Sequence, residues 1–317
     1  MPSILFIAPA DLGETVLATG ALAFALTREP AASVTVVCRP EAMPLFRATP
    51  RLATLHGWEG RDGFSLWVSM AWRVARKPFD LILDFDGSPA GFAVHGRRRL
   101  VARRARALVH RLEEWSALIG AEAPLAPAIW LDARARDAAA AALPEAGPVL
   151  ALAPGADASA KRWPAERFAA IARRLVGGPL GGARVVLLGD GGDCDVARAI
   201  ASSLDADGVA ALDLAGELDL LAQAALLQRA TLFVGNDSAL MHLAAAMKAP
   251  TLGLFGPSDE RLRGPHGARS RALRGRPYED IMGLAQGALD GQSLMEDVSV
   301  DAVEAAALAL LHAGGLQ

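Results

Sequence analysis

The chain has 317 residues, 52% hydrophobic and 21% charged, so it can bury a large core and is long enough for two domains. Its net charge of -3 excludes a general nucleic-acid binder, because non-specific binding to phosphate backbones needs a broad positive field. With only Cys38 and Cys194, a disulfide framework and a cysteine metal cluster are excluded, which favours a reducing cytoplasm. The opening residues have no basic leader and only a strand-length apolar run, so we expect neither a signal peptide nor a membrane span.

Short apolar runs alternate with helical patterns along the chain. Strands are expected at ILFIA, VTVVC, LATLH and DLILDF, with helices from about Thr15 and around WVSMAWRVARK. The pattern restarts after AAAALPEAG with strands at VLALAP, RVVLLGD, TLFVG and PTLGLFG, separated by helices at Pro164, DVARAIASSL, LLAQAALLQRA and Ser238. Because the strands are apolar throughout, the sequence predicts an α/β fold with parallel sheets covered on both faces.

Two doubly wound, Rossmann-like domains facing a cleft are therefore expected, residues 1–146 and residues 147–317, with the last helix free to pack back on the first domain. In such sheets ligands bind beyond the carboxyl ends of the strands. Residues that directly follow a predicted strand are therefore the candidates for ligand binding.

Glu14 follows the first strand, in ADLGETVLATG, and lies at the start of a helix. A carboxylate at such a turn can act as a general base. The alternative is that Glu14 only stabilises the helix N-terminus electrostatically.

The stretch VGNDSALMH ends a strand and opens a helix at Asn236, Asp237 and Ser238. Free backbone N–H groups and the positive end of the helix dipole make this a place for a diphosphate. The alternative is an ordinary N-cap without a ligand. His242 follows one turn later, either as a packed core residue or as a ligand contact.

Lys161 follows the strand-end loop APGADASA, so its ammonium can reach the same phosphates. A solvated surface lysine is the alternative, whereas Trp163 and Pro164 are assigned to packing. Asp193, in LLGDGGDCD after a strand, can accept hydrogen bonds from ribose hydroxyls, or it is part of an ordinary turn.

The segment GRRRLVARRARALVHR, from Gly96 to Arg111, holds seven arginines in an otherwise acidic chain. Such a cluster attracts phosphates, carboxylates and anionic lipid headgroups. The alternative is a solvated basic helix face.

These motifs together resemble the glycosyltransferase family 9 of ADP-heptose:lipopolysaccharide heptosyltransferases, of GT-B fold. The resemblance rests on ADLGETVLATGAL, PGADASAKRWPAERFAAIA, LGDGGD and GNDSALMHLAAAMKAPTLGLFGPSDERLRGPHG, in the family's order across both domains. It implies an inverting transfer of heptose from ADP-heptose to a lipopolysaccharide core acceptor, in the cytoplasm on the inner face of the inner membrane. No metal, cofactor or nucleic acid is implied.

By this resemblance the first domain binds the acceptor and the second the nucleotide sugar. The catalytic roles are carried over to Glu14, where the family usually has Asp, and to Lys161. Donor-binding roles are assigned to Asp193, Asn236, Asp237, Ser238, Ala239 and His242. The basic cluster itself, together with its place in the first domain, assigns acceptor-binding roles to Arg97, Arg98, Arg103 and Arg104.

The chain departs from the family pattern at three places. Glu14 is one methylene longer than Asp, Ala239 replaces a frequent Gly, and Ser293 or Leu294 stands where a Cys-Met pair often occurs. Two other functions therefore stay open: a GT-B enzyme using another nucleotide sugar, and a non-catalytic protein that binds nucleotide sugar or lipopolysaccharide.

Overall fold

The computed structural model describes residues 1–58, 74, 78–87, 94–102, 108–283 and 292–313. Within it the chain divides into two compact units, Met1–Asp132 and Ala133–Gln317. Each unit is built on one parallel sheet, which confirms the predicted α/β fold class.

The first unit holds a five-stranded parallel sheet in the order β3-β2-β1-β4-β5. Its core is formed by apolar side chains of the central strands, such as Leu5, Ile7 and Ile82. The strands are β1 (Ser3–Ile7), β2 (Ser33–Cys38), β3 (Leu52–Gly57), β4 (Phe79–Asp84) and β5 (Gly96–Val101). The described helices are α1 (Leu12–Arg28), α2 (Met43–Phe46) and α3 (Arg111–Ile119).

The second unit holds a six-stranded parallel sheet in the order β11-β10-β9-β6-β7-β8. Its strands are β6 (Val149–Ala153), β7 (Arg184–Leu187), β8 (Ala211–Asp213), β9 (Leu232–Asn236), β10 (Thr251–Phe255) and β11 (Ser270–Arg274). Its described helices are α4 (Ala133–Ala142), α5 (Ala165–Val176), α6 (Cys194–Ala206), α7 (Leu220–Leu227), α8 (Ala239–Ala246), α9 (Glu260–Arg263), α10 (Tyr278–Gly283) and α11 (Val300–Ala313).

Helix α5 shows why the sequence folds as it does after β6. Pro164 is its N-cap, where the missing N–H breaks no helical hydrogen bond, and Phe168, Ile171 and Leu175 are fully buried on one face. Trp163, just before it, is 1% exposed and donates its indole N–H to the Val298 carbonyl at 2.8 Å. The packing role expected for Trp163 is confirmed.

The division between the units precedes α4, whereas the sequence placed the join after it. Ala135 and Ala139 of α4 are buried, and the helix packs on α7 of the second unit. The last described helix, α11, also packs within the second unit, against α5 and the strands β9, β10 and β11. Its apolar side chains join that unit's core.

The start of the arginine-rich segment is the edge strand β5, so the helix-face interpretation is wrong for Gly96–Val101. The helix predicted around WVSMAWRVARK lies outside the described residues, apart from Val74. In the parts of the chain that the structure covers, no helix combines the length and the apolarity that crossing a bilayer requires.

Candidate functional site

The carboxyl edge of the second sheet brings four strand-end loops together. They follow β6, β7, β9 and β10, and because all these strands are parallel, their carboxyl ends lie at one edge. The loops carry Lys161, Asp193, Asp237 and Ser238, as the sequence predicted. This cluster of residues is called the donor-side site below.

Lys161 ends a single 3-10 turn, Ser159–Lys161, and its ammonium lies between two carboxylates. Its Nζ is 3.1 Å from Asp157 Oδ1 and 3.6 Å from Asp237 Oδ2. The lysine side chain is 18% exposed and that of Asp237 only 7%, whereas Asp157 is 68% exposed. Lys161 is therefore a held, largely buried cation, which contradicts the alternative of a solvated surface lysine.

Ser238 is the N-cap of α8, but its side chain does not cap the helix. Its Oγ is buried and has no hydrogen-bond partner among the residues that the structure describes, and the same holds for Asp237 Oδ2. The first N–H groups of a helix have no intrahelical acceptor, and they attract an anion. Ala239 is the first residue of α8, and His242, 3% exposed, follows one turn after Ser238. The ordinary N-cap interpretation fails because the hydroxyl makes no capping bond.

Both polar groups of the Asn236 side chain are hydrogen-bonded within the protein. Asn236 is fully buried at the end of β9, and its Oδ1 accepts a hydrogen bond from the backbone N–H of Trp163 at 3.1 Å. Its Nδ2 donates to the Pro154 carbonyl at 2.7 Å. The amide thus ties both ends of the Lys161 loop to the strand.

Asp193 ends the short 3-10 turn Gly191–Asp193, directly before α6, and forms a capping box with Asp190. Burial raises the pKa of the Asp193 carboxyl; the Asp190 N–H and the charge of Arg162 oppose this rise, and the charge of Asp190 adds to it. Gly155 makes room for the carboxylate, because a Cβ at that position would overlap it. Asp193 therefore lies against the backbone of the Lys161 loop.

In the first unit, Glu14 lies in the first turn of α1, whose N-cap Asp11 accepts from the Glu14 N–H at 2.8 Å. Its carboxylate is not an isolated helix-end charge, because Arg111 Nε donates to Glu14 Oε1 at 3.2 Å. Arg111 Nη1 also donates to Glu114 Oε2 at 2.8 Å. Burial alone would lower the pKa of Arg111, but these bonds and charges raise it above its ordinary value.

A second carboxylate at the carboxyl edge of the first sheet is Asp86, which follows β4. Its Oδ1 accepts from the Ala10 N–H in the loop before α1 at 3.1 Å. Burial raises the pKa of Asp86, with the Ala10 bond and Arg39 opposing the rise and Glu14 adding to it. The signal for this position in the sequence is that Asp86 follows a buried strand.

Two of the predicted acceptor residues, Arg97 and Arg98, lie away from that edge. Arg97 and Arg98 lie in the first half of β5, where Arg97 is 83% exposed and 3.3 Å from Asp80. Residues 103 and 104 lie outside the described part of the chain. Among the described arginines of this segment, Arg111 is the one that lies beside Glu14, and no spacing in the sequence indicated that pair.

Among the residues that the structure covers, no group of three or more histidine, cysteine, aspartate or glutamate side chains is arranged to hold a metal ion. The positive groups of the donor-side site include Lys161, the N-terminus of α8 and Arg162, whose Nη2 is 3.9 Å from Asp193 Oδ1. Such an arrangement can hold a diphosphate and stabilise it as a leaving group.

A family model described as "Glycosyltransferase family 9 (heptosyltransferase)" matches residues 74–282. The chain is similar to lipopolysaccharide heptosyltransferase 2 of Salmonella typhimurium, 35% identical over 129 residues, which cover 40% of this chain and 36% of that protein. The chain thus matches little more than a third of that relative's length.

Two solved structures have a similar fold. The structure of Escherichia coli ADP-heptose lipopolysaccharide heptosyltransferase II has a TM-score of 0.76 at 22% identity, covering 99% of this chain and 100% of that one. The glycosyl transferase family 9 structure from Veillonella parvula has a TM-score of 0.81 at 21% identity, covering 98% of both chains. At these identities the likeness shows the fold.

Proposed function

The chain belongs to glycosyltransferase family 9, as its motifs predicted, and from that premise we propose that it transfers a heptose from ADP-heptose to a lipopolysaccharide core acceptor. The observation that carries the proposal is the donor-side site, where Lys161 Nζ lies 3.6 Å from Asp237 Oδ2 and the Ser238 hydroxyl leaves the start of α8 uncapped. The relative named lipopolysaccharide heptosyltransferase 2 supports the choice of sugar and acceptor.

On the donor side, the diphosphate binds at the N-terminus of α8 and at Lys161. The dipole end and the ammonium both attract phosphate oxygens, and the buried Ser238 hydroxyl supplies a further donor. Asp193, held beside the Lys161 loop, accepts hydrogen bonds from the ribose hydroxyls. Asp237 and His242 line the place of the donor sugar.

The transfer is a single inverting displacement. The acceptor hydroxyl oxygen forms a bond to the anomeric carbon, the bond from that carbon to the phosphate oxygen breaks, and ADP leaves with the bonding electron pair. Glu14 takes the hydroxyl proton as general base. Lys161 and the helix N-terminus stabilise the charge that develops on the leaving diphosphate, so the reaction needs no divalent metal.

The acceptor is an anionic lipid-linked sugar, and the first unit supplies its binding surface. The exposed Arg97 and Arg98 of β5 are suited to contacting its phosphates or the lipid headgroups of the inner membrane, at some distance from Glu14. Arg103 and Arg104 keep the acceptor role that the sequence assigned. In this proposal the chain works in the cytoplasm, peripheral to the membrane.

Calorimetry tests the donor identity first. We expect ADP to bind more tightly than UDP or GDP. In excess EDTA, the affinity for ADP and the rate of transfer, measured separately, should both stay as they are without EDTA. Loss of turnover in EDTA that Mg²⁺ restores would reject the metal-free mechanism. Binding of ADP without transfer from any ADP-sugar would favour a non-catalytic protein, and a preference for UDP or GDP would favour another nucleotide sugar.

Lys161→Met tests the leaving-group role, because methionine keeps the unbranched apolar stem and removes the charge. We expect kcat to fall by about 10²-fold or more, the usual cost of removing a stabilising group, and this loss should exceed the change in folding stability that follows from leaving the buried Asp237 without its partner. Lys248→Met is the matched control, since Lys248 is exposed and follows the opposite end of α8. An unchanged rate for Lys161→Met would exclude the role.

A further inference from the structure

Arg111 bridges two carboxylates at the start of two packed helices. Its Nε is 3.2 Å from Glu14 Oε1 in the first turn of α1, and its Nη1 is 2.8 Å from Glu114 Oε2 in α3. All three side chains are mostly buried, with exposed fractions of 19% for Arg111, 15% for Glu14 and 22% for Glu114. We propose that Arg111 is the positioning residue for the Glu14 carboxylate; this inference rests on the proposed function, in which Glu14 is the base.

A glutamate base needs such a partner more than an aspartate does. Glutamate has one more rotatable bond, so an unrestrained carboxylate samples more positions, and ordering it costs conformational entropy. A hydrogen bond from a buried guanidinium restricts those positions before the acceptor binds. Small displacements of a reacting group slow catalysis strongly, about 10²-fold for roughly 1 Å.

Glu114 fixes the guanidinium itself. It lies three residues after Arg111 on the same helix, and its bond to Nη1 leaves Nε directed at Glu14. Arg111 is also the first residue of α3, whose N-cap is His110, so its backbone is held by the helix start. The arginine is thus anchored within α3 and donates across to α1, which is the geometry of a positioning contact between two elements.

This positioning role of Arg111 differs from the acceptor-binding role that the sequence predicted for the arginine-rich segment. An acceptor-binding arginine would direct its donors at the acceptor and its loss would raise KM. At Arg111 two donors are used by protein carboxylates, so its loss should act on kcat. The split between kcat and KM therefore separates the two roles.

The experiment compares full-length parent, Arg111→Met, Arg111→Lys, Glu14→Gln and the double variant Arg111→Met with Glu14→Gln, using ADP-heptose and a lipopolysaccharide core acceptor. We expect Arg111→Met to lower kcat by about ten- to 100-fold, with KM for the acceptor and Kd for ADP within about twofold of the parent. Arg111→Lys, which keeps a donor and the charge, should recover part of the rate. In the double variant the Arg111 change should add nothing to the loss caused by Glu14→Gln, because it acts through that residue.

Arg28→Met is the control, since Arg28 lies in the last turn of α1 and contacts neither carboxylate. Three outcomes would each overturn the inference without touching the proposed transferase function. They are a parental kcat in Arg111→Met, a change in that variant confined to a higher KM, and an additive loss of kcat in the double variant. If Arg111→Met does not fold, Arg111→Lys decides by the same criteria. A parental rate in Glu14→Gln, or no transfer by the parent, would instead reject the base or the proposed function, and the inference with it.

Discussion

Replacing Asp157 by asparagine should tighten ADP binding, because this carboxylate competes with the diphosphate for Lys161. In the structure the Lys161 ammonium is 3.1 Å from Asp157 Oδ1, and Asp157 is 68% exposed, so it is the partner that an incoming phosphate displaces. Asp237, 7% exposed, stays paired at 3.6 Å. Asparagine keeps the shape of the side chain and removes its charge.

The magnitude follows from the distance and the exposure. Two unit charges 3.1 Å apart attract by about 1.3 kcal/mol in bulk water, and measured exposed pairs contribute about 0.2–1 kcal/mol after side-chain entropy and screening. If ADP no longer has to displace an ion pair worth about 0.5–1 kcal/mol between Asp157 and Lys161, its Kd falls by roughly two- to fivefold. Removing the repulsion between Asp157 and the phosphates acts in the same direction.

Isothermal titration calorimetry with ADP measures the effect at low and high salt. The gain should shrink at high salt, since an exposed charge is screened. Asp205→Asn is the matched control, because Asp205 is an exposed carboxylate in the last turn of α6, at the opposite end of that helix from the donor-side site. Equal or weaker ADP binding in Asp157→Asn, or an equal gain in the control, would refute the reasoning.

Three further changes test other contacts. Gly155→Ala should weaken ADP binding about fivefold or more by calorimetry, because its Cβ would displace the Asp193 carboxylate; parental affinity would contradict this. Asn236→Leu should lower the free energy of unfolding in urea by about 2–5 kcal/mol, since it leaves buried N–H and C=O groups unpaired, and a loss under about 1 kcal/mol would count against that role. Burial raises the pKa of Cys38 to about 12, so iodoacetamide at pH 8 should label Cys194 but not Cys38 in the native chain, and both in urea, as read by mass spectrometry.

The central strands could be predicted from the sequence and some of the edge strands could not. VLALA of β6 and LFVGN of β9 are buried along their whole length, and such runs are apolar because helices cover both faces of the sheet. The strands that were missed, β5, β8 and β11, all lie at sheet edges. Their sequences, GRRRLV, ALD and SRALR, are polar or short because an edge faces solvent.

The donor-side site was largely predictable for a topological reason. Once the strands are known to be parallel, the residues that follow them must meet at one edge, and this brings Lys161 to Asp237 across 76 positions of sequence. The partners of these residues were not predictable in the same way. Whether Arg111 faces Glu14, 97 positions away in the sequence, depends on how α1 and α3 pack, which no local pattern encodes.

The Glu14→Asp variant tests the base and its arginine together. It restores the residue that the family pattern usually has and leaves Arg111 in place. Shortening the side chain by one methylene withdraws the carboxylate by about 1.5 Å, which stretches the 3.2 Å bond to Arg111 Nε beyond hydrogen-bonding distance. If the longer base and its arginine work as a pair, Glu14→Asp should lower kcat about tenfold or more, with ADP binding unchanged. Adding Arg111→Met to Glu14→Asp should then cost much less than it costs the parent, since the contact is already broken. A Glu14→Asp variant as fast as the parent would show that the position of the carboxylate does not depend on Arg111, and that the longer side chain is simply tolerated.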